Sequence, residues 1–181
     1  KEERILVLDF PRNQGKGEAV RQGMLAALAW KNFDAVAFFD ADLATPLDEI
    51  LLLSAEMERG NYLMALGSRL MRLGSVIKRK ALRHYFGRVF ATLASWVIPL
   101  PVYDTQCGAK LLRAELIQIV CKEPFMSRWL FDLEIFARTI NHFGQEKAEQ
   151  LLIEVPLRVW IEKGDSRLKF SELWKVPFEM W

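Results

Sequence analysis

The stretch A-V-A-F-F-D-A-D-L-A-T-P, Ala35 to Pro46, decides the fold. Its first five residues form a continuous apolar run with no helical period, which reads as a central strand buried on both faces. The run opens into two carboxylates, Asp40 and Asp42. Thr45-Pro46 then reads as an N-cap followed by proline at the first helical position. A helix is expected from residue 47 to about 59, stopped by Gly60-Asn61. Upstream, residues 4–8 (R-I-L-V-L) read as a short buried strand, residues 11–17 as a loop, and residues 18–31 as a helix. Val20, Met24, Leu25, Leu28 and Ala29 give that helix one apolar face. Downstream, residues 62–66 read as a third strand, ending in Gly67-Ser68-Arg69. Residues 130–143 have the period of an amphipathic helix. Residues 151–155 and 157–160 read as strand, with Pro156 placing that element at an edge or a bulge. Strands alternating with helices predict an α/β fold with a mostly parallel sheet. In such sheets ligands bind beyond the carboxyl ends of the strands. Asp40, Asp42, Arg69 and the loop at residues 13–17 all fall there.

Composition agrees with one domain over residues 1–181: 51% of the chain is hydrophobic and 27% charged. The 25 Lys and Arg nearly balance the 23 Asp and Glu, which excludes a global basic tail for nucleic acid. The balance hides an asymmetry. No Asp or Glu occurs between Arg59 and Tyr103, a stretch that holds Arg69, Arg72, Lys78, Arg79, Lys80, Arg83 and Arg88. A one-sign block of this kind points to an anionic partner. Residues 76–97 have the spacing of a basic amphipathic helix, which is either a packed surface helix or an element that lies on a membrane. No apolar run reaches the roughly 18–20 residues that span a bilayer. The expectation is a soluble chain, or one that rests on a membrane without crossing it. Cys107 and Cys121 cannot make a disulfide framework and suggest a reducing compartment.

Several clusters could carry chemistry. Asp40-x-Asp42 can hold one hard cation, Mg²⁺ or Mn²⁺, together with substrate phosphates; otherwise it is a pair of solvated aspartates. Asn13-x-Gly15-Lys16-Gly17 opens a helix, and its spacing fits a tight turn as well as a phosphate contact. Arg69, Arg79 and Arg83 are planar donors suited to bidentate phosphate contacts. Asp104, the first acid after the basic block, can be a counter-ion, a substrate-orienting group or a base. With His84 and His142 the only histidines, neither a Cys107 nucleophile nor a zinc site is expected.

Taken in order, N-x-G-K-G-x-A-x-R-x-G (Asn13 to Gly23), D-A-D-L-A-T-P (Asp40 to Pro46), G-S-R (Gly67 to Arg69), D-T-Q-C-G-x-K-L-x-R (Asp104 to Arg113), R-W-x-F-D-x-E (Arg128 to Glu134) and W-x-E-x-G (Trp160 to Gly164) form a set. This set resembles the family 2 glycosyltransferases, in their polyprenyl-phosphate branch. Within that branch the dolichyl-phosphate glucosyltransferase group stands ahead of the mannose synthases.

The resemblance implies a GT-A nucleotide-sugar transferase fold, a Rossmann-like mixed and mostly parallel sheet between helices. The chain begins near the family's third strand, which implies an N-terminally truncated domain. The implied reaction is inverting transfer of a hexose, glucose before mannose, from a nucleotide-diphosphate sugar to a polyprenyl phosphate. The donor would be UDP-glucose, or GDP-mannose, with Mg²⁺ or Mn²⁺ as cofactor. Asp40 and Asp42 would hold the metal, with Lys16 and Gly17 at the nucleotide. Arg69 and Arg79 would clamp the acceptor phosphate, with Arg83 nearby. Asp104 and Gln106 would face the sugar, and Trp129, Asp132 and Glu134 would complete its pocket. Ser166, Arg167 and Lys169 resemble a loop that closes near the site. The protein would sit at the cytoplasmic face of a membrane, held peripherally by the basic helix around residues 78–97, with no nucleic-acid partner. Two other readings differ in class: a GT-A transferase with a soluble or polysaccharide acceptor, and a non-catalytic anion- or nucleic-acid-binding module.

Overall fold

A computed structural model of the chain describes residues 5–78 and 98–163. Its elements run α1 (Lys16–Trp30), β1 (Ala35–Phe39), α2 (Glu49–Arg59), β2 (Met64–Ser68), β3 (Val76–Lys78), β4 (Ala109–Arg113), α3 (Ala114–Val120), α4 (Phe131–Phe143), α5 (Gln145–Leu151), β5 (Leu152–Pro156) and β6 (Val159–Ile161). The main sheet has four strands in the order β1-β4-β2-β5, and β3 and β6 form a small second sheet. β2 and β5 are parallel, while β4 lies antiparallel between β1 and β2. Hence β1, β2 and β5 run one way and β4 the other. The mixed, mostly parallel α/β architecture expected from the strand–helix rhythm is present.

Alternation along the strands sorts side chains onto two faces. Met64 and Leu66 of β2 and Leu112 of β4 join Met24, Leu116, Ile117, Phe131 and Phe136 under α1, α3, α4 and α5. Ala65, Ala109, Leu111 and Val155 face the other way, against Leu53 and Met57 of α2 and Leu157 and Trp160. Each fully buried Leu or Met here contributes about 1.5–3 kcal/mol. Two arginines fasten the end of α3. Arg21 donates to the Cys121 and Glu123 carbonyls, and Arg138 donates to Val120, Glu123 and Pro124 carbonyls. They satisfy acceptors at the helix end and complement its dipole.

Four expectations need correction. Residues 5–8 form no strand; Ile5, Leu6, Val7 and Leu8 are exposed. A local apolar run records a capacity for burial, but a strand also needs a neighbour for its backbone groups. β1 is an edge strand of the four and only half-buried, where burial on both faces was expected. Val76–Lys78 is a strand paired in parallel with β6, so the basic segment does not begin as helix; the rest of that predicted helix lies outside the described residues. α2 starts at Glu49, two residues late, because Glu49, Ile50 and Leu51 N–H groups donate back three residues and make a tight entry turn. Pro156 does fall on an edge strand, β5.

Candidate functional site

Strand directions bring the polar clusters to one rim. Asp40 follows β1 and Arg69 follows β2, while residues 104–108 precede the reversed strand β4. α1 leads back into β1, so its N-terminal Lys16 also reaches this rim.

The turn after β1 is tightly specified. Leu43 N–H donates to the Asp40 carbonyl (3.0 Å), and Ala44 N–H donates to Asp42 Oδ1 (2.9 Å). Leu43 adopts φ 52°, a left-handed conformation that a leucine takes only when its surroundings impose it. The Ala44 carbonyl in turn accepts from Ile161 N–H, which ties the turn to β6. Asp40 N–H donates to the Gly108 carbonyl at 2.8 Å. A Cβ on Gly108 would overlap the Asp40 carboxylate, so glycine there lets that carboxylate keep its place. Lys16 Nζ lies 2.6 Å from Asp40 Oδ1.

Across the rim, Arg69 holds Asp104 in a fork. Its Nε donates to Oδ2 (2.7 Å), its Nη2 to Oδ1 (2.7 Å) and its backbone N–H to Oδ2 (3.0 Å). Burial alone would push the Asp104 carboxyl up, but the Arg69 hydrogen bonds and charge outweigh it and hold the carboxyl below its ordinary range. Burial also works against the Arg69 charge, and Asp104 reverses that effect, raising the guanidinium pKa further. Asp104 is therefore a fixed anion and a weak base. The Arg69 guanidinium also lies 5.5 Å from the Trp160 ring centroid. Glu154 of β5 braces the same loop, accepting from Tyr103 N–H (2.8 Å) and Asp104 N–H (2.7 Å).

Beneath the rim, Lys110 Nζ donates to Asp132 Oδ1 (2.5 Å) and to the Cys107 carbonyl (2.7 Å). Both side chains are buried. The Asp132 carboxylate, expected at the sugar, is engaged with Lys110 below the surface, in the first turn of α4. Burial pushes its pKa up and Lys110 partly offsets that. Glu134 likewise accepts from Met126 N–H (2.9 Å) and from Arg138 (2.6 Å), and so holds the loop before α4. Gly17 is a packing joint. Its N–H donates to the Arg128 carbonyl, and a Cβ there would press on Phe131 and Ser127. Arg128 further donates to the Asn13 carbonyl at 2.8 Å.

Trp129 is 46% exposed at this loop. Gln106 Nε2, Ser68 Oγ and Thr105 Oγ1 are buried without a hydrogen-bond partner, all beside the Arg69–Asp104 pair in sequence. Cys107 is fully buried and its thiol is pushed up to about 12 by that burial, which removes it as a nucleophile. Arg79, Arg83, Ser166, Arg167 and Lys169 lie outside the described residues.

Asp40 and Asp42 fit a hard divalent cation. Asp40 already faces a cationic group, the Lys16 ammonium, and Asp42 stands exposed two residues on. Among the described residues no third His, Cys, Asp or Glu joins them in a metal-holding group. Two carboxylates plus substrate phosphates is the ligand set Mg²⁺ and Mn²⁺ commonly take.

Sequence reading missed Glu154, and it quoted Lys110, Gly108 and Trp160 within family motifs without giving any of them a role in the site. Glu154 and Lys110 carried a signal, since each is a charge set among the apolar residues of a strand (L-I-E-V-P and A-K-L-L-R).

The profile of glycosyl transferase family 2 matches residues 1–119, and the chain belongs to that family. It is 31% identical over 184 residues to the dolichyl-phosphate beta-glucosyltransferase of Saccharomyces cerevisiae, covering 93% of this chain and 51% of the relative. It is 29% identical over 185 residues to a dolichyl-phosphate beta-glucosyltransferase of Trichomonas vaginalis, covering 99% and 52%. The chain thus spans about half the length of these relatives. Among solved structures it resembles glucosyl-3-phosphoglycerate synthase from Mycobacterium tuberculosis. The complex with UDP superposes with TM-score 0.62 at 18% identity, covering 94% of this chain and 55% of the other. A complex of that synthase with Mn²⁺ and UDP-glucose gives TM-score 0.60, covering 91% and 51%. The shared architecture is the GT-A type.

Among the described residues no helix is long and apolar enough to cross a membrane.

Proposed function

We propose that this chain carries the catalytic rim of a glycosyltransferase that moves a hexose, glucose before mannose, from a nucleotide-diphosphate sugar to a polyprenyl phosphate, with inversion. The observation that carries the reading is the Arg69–Asp104 fork. A carboxylate held below its ordinary pKa is ill suited to take a proton from a hydroxyl acceptor. An acceptor phosphate is already an anion and needs no strong base. It needs positioning and a charged environment.

Asp104 fixes the Arg69 guanidinium at the rim, and Arg69, with Arg79 and Arg83, would meet the acceptor phosphate. Asp40 and Asp42 would hold Mg²⁺ or Mn²⁺, which when bound neutralises charge on the diphosphate leaving group. Lys16, beside Asp40, would contribute its ammonium to the same diphosphate. Trp129 offers an exposed ring to the sugar and Gln106 an unpartnered amide. The dolichyl-phosphate glucosyltransferase relatives support the lipid acceptor. A lipid acceptor would place the protein at a membrane surface, peripherally and on the cytoplasmic face in this reading. The basic segment at residues 78–97 would contribute to that contact.

The test offers labelled UDP-glucose and, separately, GDP-mannose to the protein with polyprenyl phosphate and Mg²⁺ or Mn²⁺. Metal-dependent label in the lipid phase is the expected result and names the donor. Label in a soluble acceptor alone would discard the lipid. No turnover of either donor would overturn the reading.

A further inference from the structure

Directly after Arg69 the chain leaves the main sheet and enters the small second sheet at β3. This excursion, L-M-R-L-G-S-V over residues 70–76, is a fixed protrusion. Ser75 N–H donates to the Arg72 carbonyl (3.0 Å). Ser75 Oγ accepts from Arg72 N–H (2.9 Å) and donates to the Arg72 carbonyl (2.7 Å). Gly74 supplies the left-handed turn residue at φ 84°. Arg72 Nη2 reaches the Pro156 carbonyl (3.3 Å), and Val76 N–H donates to the Arg158 carbonyl (2.7 Å). Both ends are therefore anchored, one at the Arg69–Asp104 fork and the other at the β3–β6 pair.

What this turn displays is apolar. Leu73 at its tip is fully exposed, Met71 is 70% exposed, and Leu70 and Val76 are exposed as well. An isolated exposed leucine is ordinary, but four large apolar side chains on one hydrogen-bonded turn are not. Arg72 and Lys78 flank the turn, and the sequence holds no acid between Arg59 and Tyr103. In the fold Arg69 is paired with Asp104, and Glu162 N–H meets the Lys78 carbonyl, so Arg72 and Lys78 are the cations that accompany the apolar tip. Basic side chains beside apolar tips match acyl chains beneath anionic headgroups.

We propose that the turn at residues 70–76 is a membrane-insertion tip: Leu73 and Met71 enter the bilayer interface while Arg72 and Lys78 remain at the headgroups. This rests on the lipid-acceptor reading for its purpose. It would set Arg69 at headgroup level, where a lipid phosphate emerges.

The test is cosedimentation of the protein with phosphatidylcholine vesicles, with and without phosphatidylserine. Leu73→Ser/Met71→Ser alters two exposed side chains outside the site and should leave thermal stability unchanged. We expect wild type to bind the phosphatidylserine vesicles, and the double variant to partition at least about tenfold more weakly. A Leu73→Cys variant carrying an environment-sensitive dye reads insertion directly, since Cys107 and Cys121 are buried. Its emission should rise and shift to the blue on vesicle addition. Equal partitioning of wild type and double variant, or an unchanged dye spectrum, overturns the proposal. So does a wild-type dimer that the double variant dissolves without any vesicle binding, which would make the turn a self-association surface. Transfer to a short, water-soluble prenyl phosphate separates the two readings. If it proceeds equally in wild type and double variant, the catalytic reading stands whatever the vesicles show. If it fails in both, the catalytic reading falls while the vesicle result still decides the tip.

Discussion

Lys110 Nζ and Asp132 Oδ1 lie 2.5 Å apart in a place neither can leave, between the sheet and α4. Lys110 faces that side because it alternates with Leu111 along β4, and it lies across from Phe38 on β1 and Leu66 on β2. Its second bond, to the Cys107 carbonyl, fixes the segment that leads from Asp104 to Gly108. One buried cation thus connects the Arg69–Asp104 fork with the Asp40 turn. Removing it should disturb both. Lys110→Met leaves a buried carboxyl without a cation and should cost about 3–5 kcal/mol of stability by urea unfolding. Lys110→Met/Asp132→Leu should recover most of that loss, because an apolar pair of similar volume leaves no charge behind. A double variant no more stable than the Lys110→Met single would refute the assigned coupling.

The fork gives a pH signature. Asp104 has a folded pKa below its ordinary value of 3.8. The unfolded chain therefore binds this proton more readily. The stabilisation is complete above about pH 5 and is lost as pH falls below 3.8 through the folded pKa. Asp104→Asn should be less stable than wild type by about 2 kcal/mol or more at neutral pH. The gap should narrow at about pH 3, and melting curves at both pH values check it. A gap that is constant with pH would remove the charge from the explanation.

Asp42 is exposed and accepts a local turn hydrogen bond from Ala44 N–H. Asp42→Ala should leave the melting temperature within a few degrees of wild type, since it loses about 1 kcal/mol at most. Metal-dependent sugar transfer should fall at least about a hundredfold. Turnover measured across a Mn²⁺ titration distinguishes a lost ligand from a lost fold. Wild-type activity in this variant would end the metal assignment.

Gly108→Ala places a Cβ where the Asp40 carboxylate sits. The carboxylate must move, and about tenfold or more of the turnover should go with it, with weaker apparent Mn²⁺ affinity. Gly23, with nothing within 4 Å of an added Cβ, is the control: Gly23→Ala should leave activity as it is.

Thiol chemistry provides an inexpensive check of the core. Burial pushes Cys107 up to about 12 and Cys121 up to about 11. Neither should react with a thiol reagent in the native protein at neutral pH, and both should react in urea. Rapid native labelling of Cys107 would mean that the 104–108 segment opens.

The sequence by itself determined the local elements and the identity of the chemistry. Helical period along α1 and α4, the continuous run of β1 and the Asp40–Asp42 spacing are all written within a few residues, where side-chain direction follows from backbone period. The family motifs are equally local. Strand order was not legible. β4 was missed because Lys110 breaks its apolar run, and its place between β1 and β2 depends on pairing partners distant in the chain. Sequence placed Arg69 and Asp104 in separate motifs and gave each its own contact with substrate. Only the tertiary structure made them one unit across 35 residues, and set Asp132 against Lys110 as its counter-ion. The physical reason is the same in each case. A charge's role depends on what its burial demands as a partner, and that partner is supplied by packing of the sheet against its helices, which no local pattern encodes.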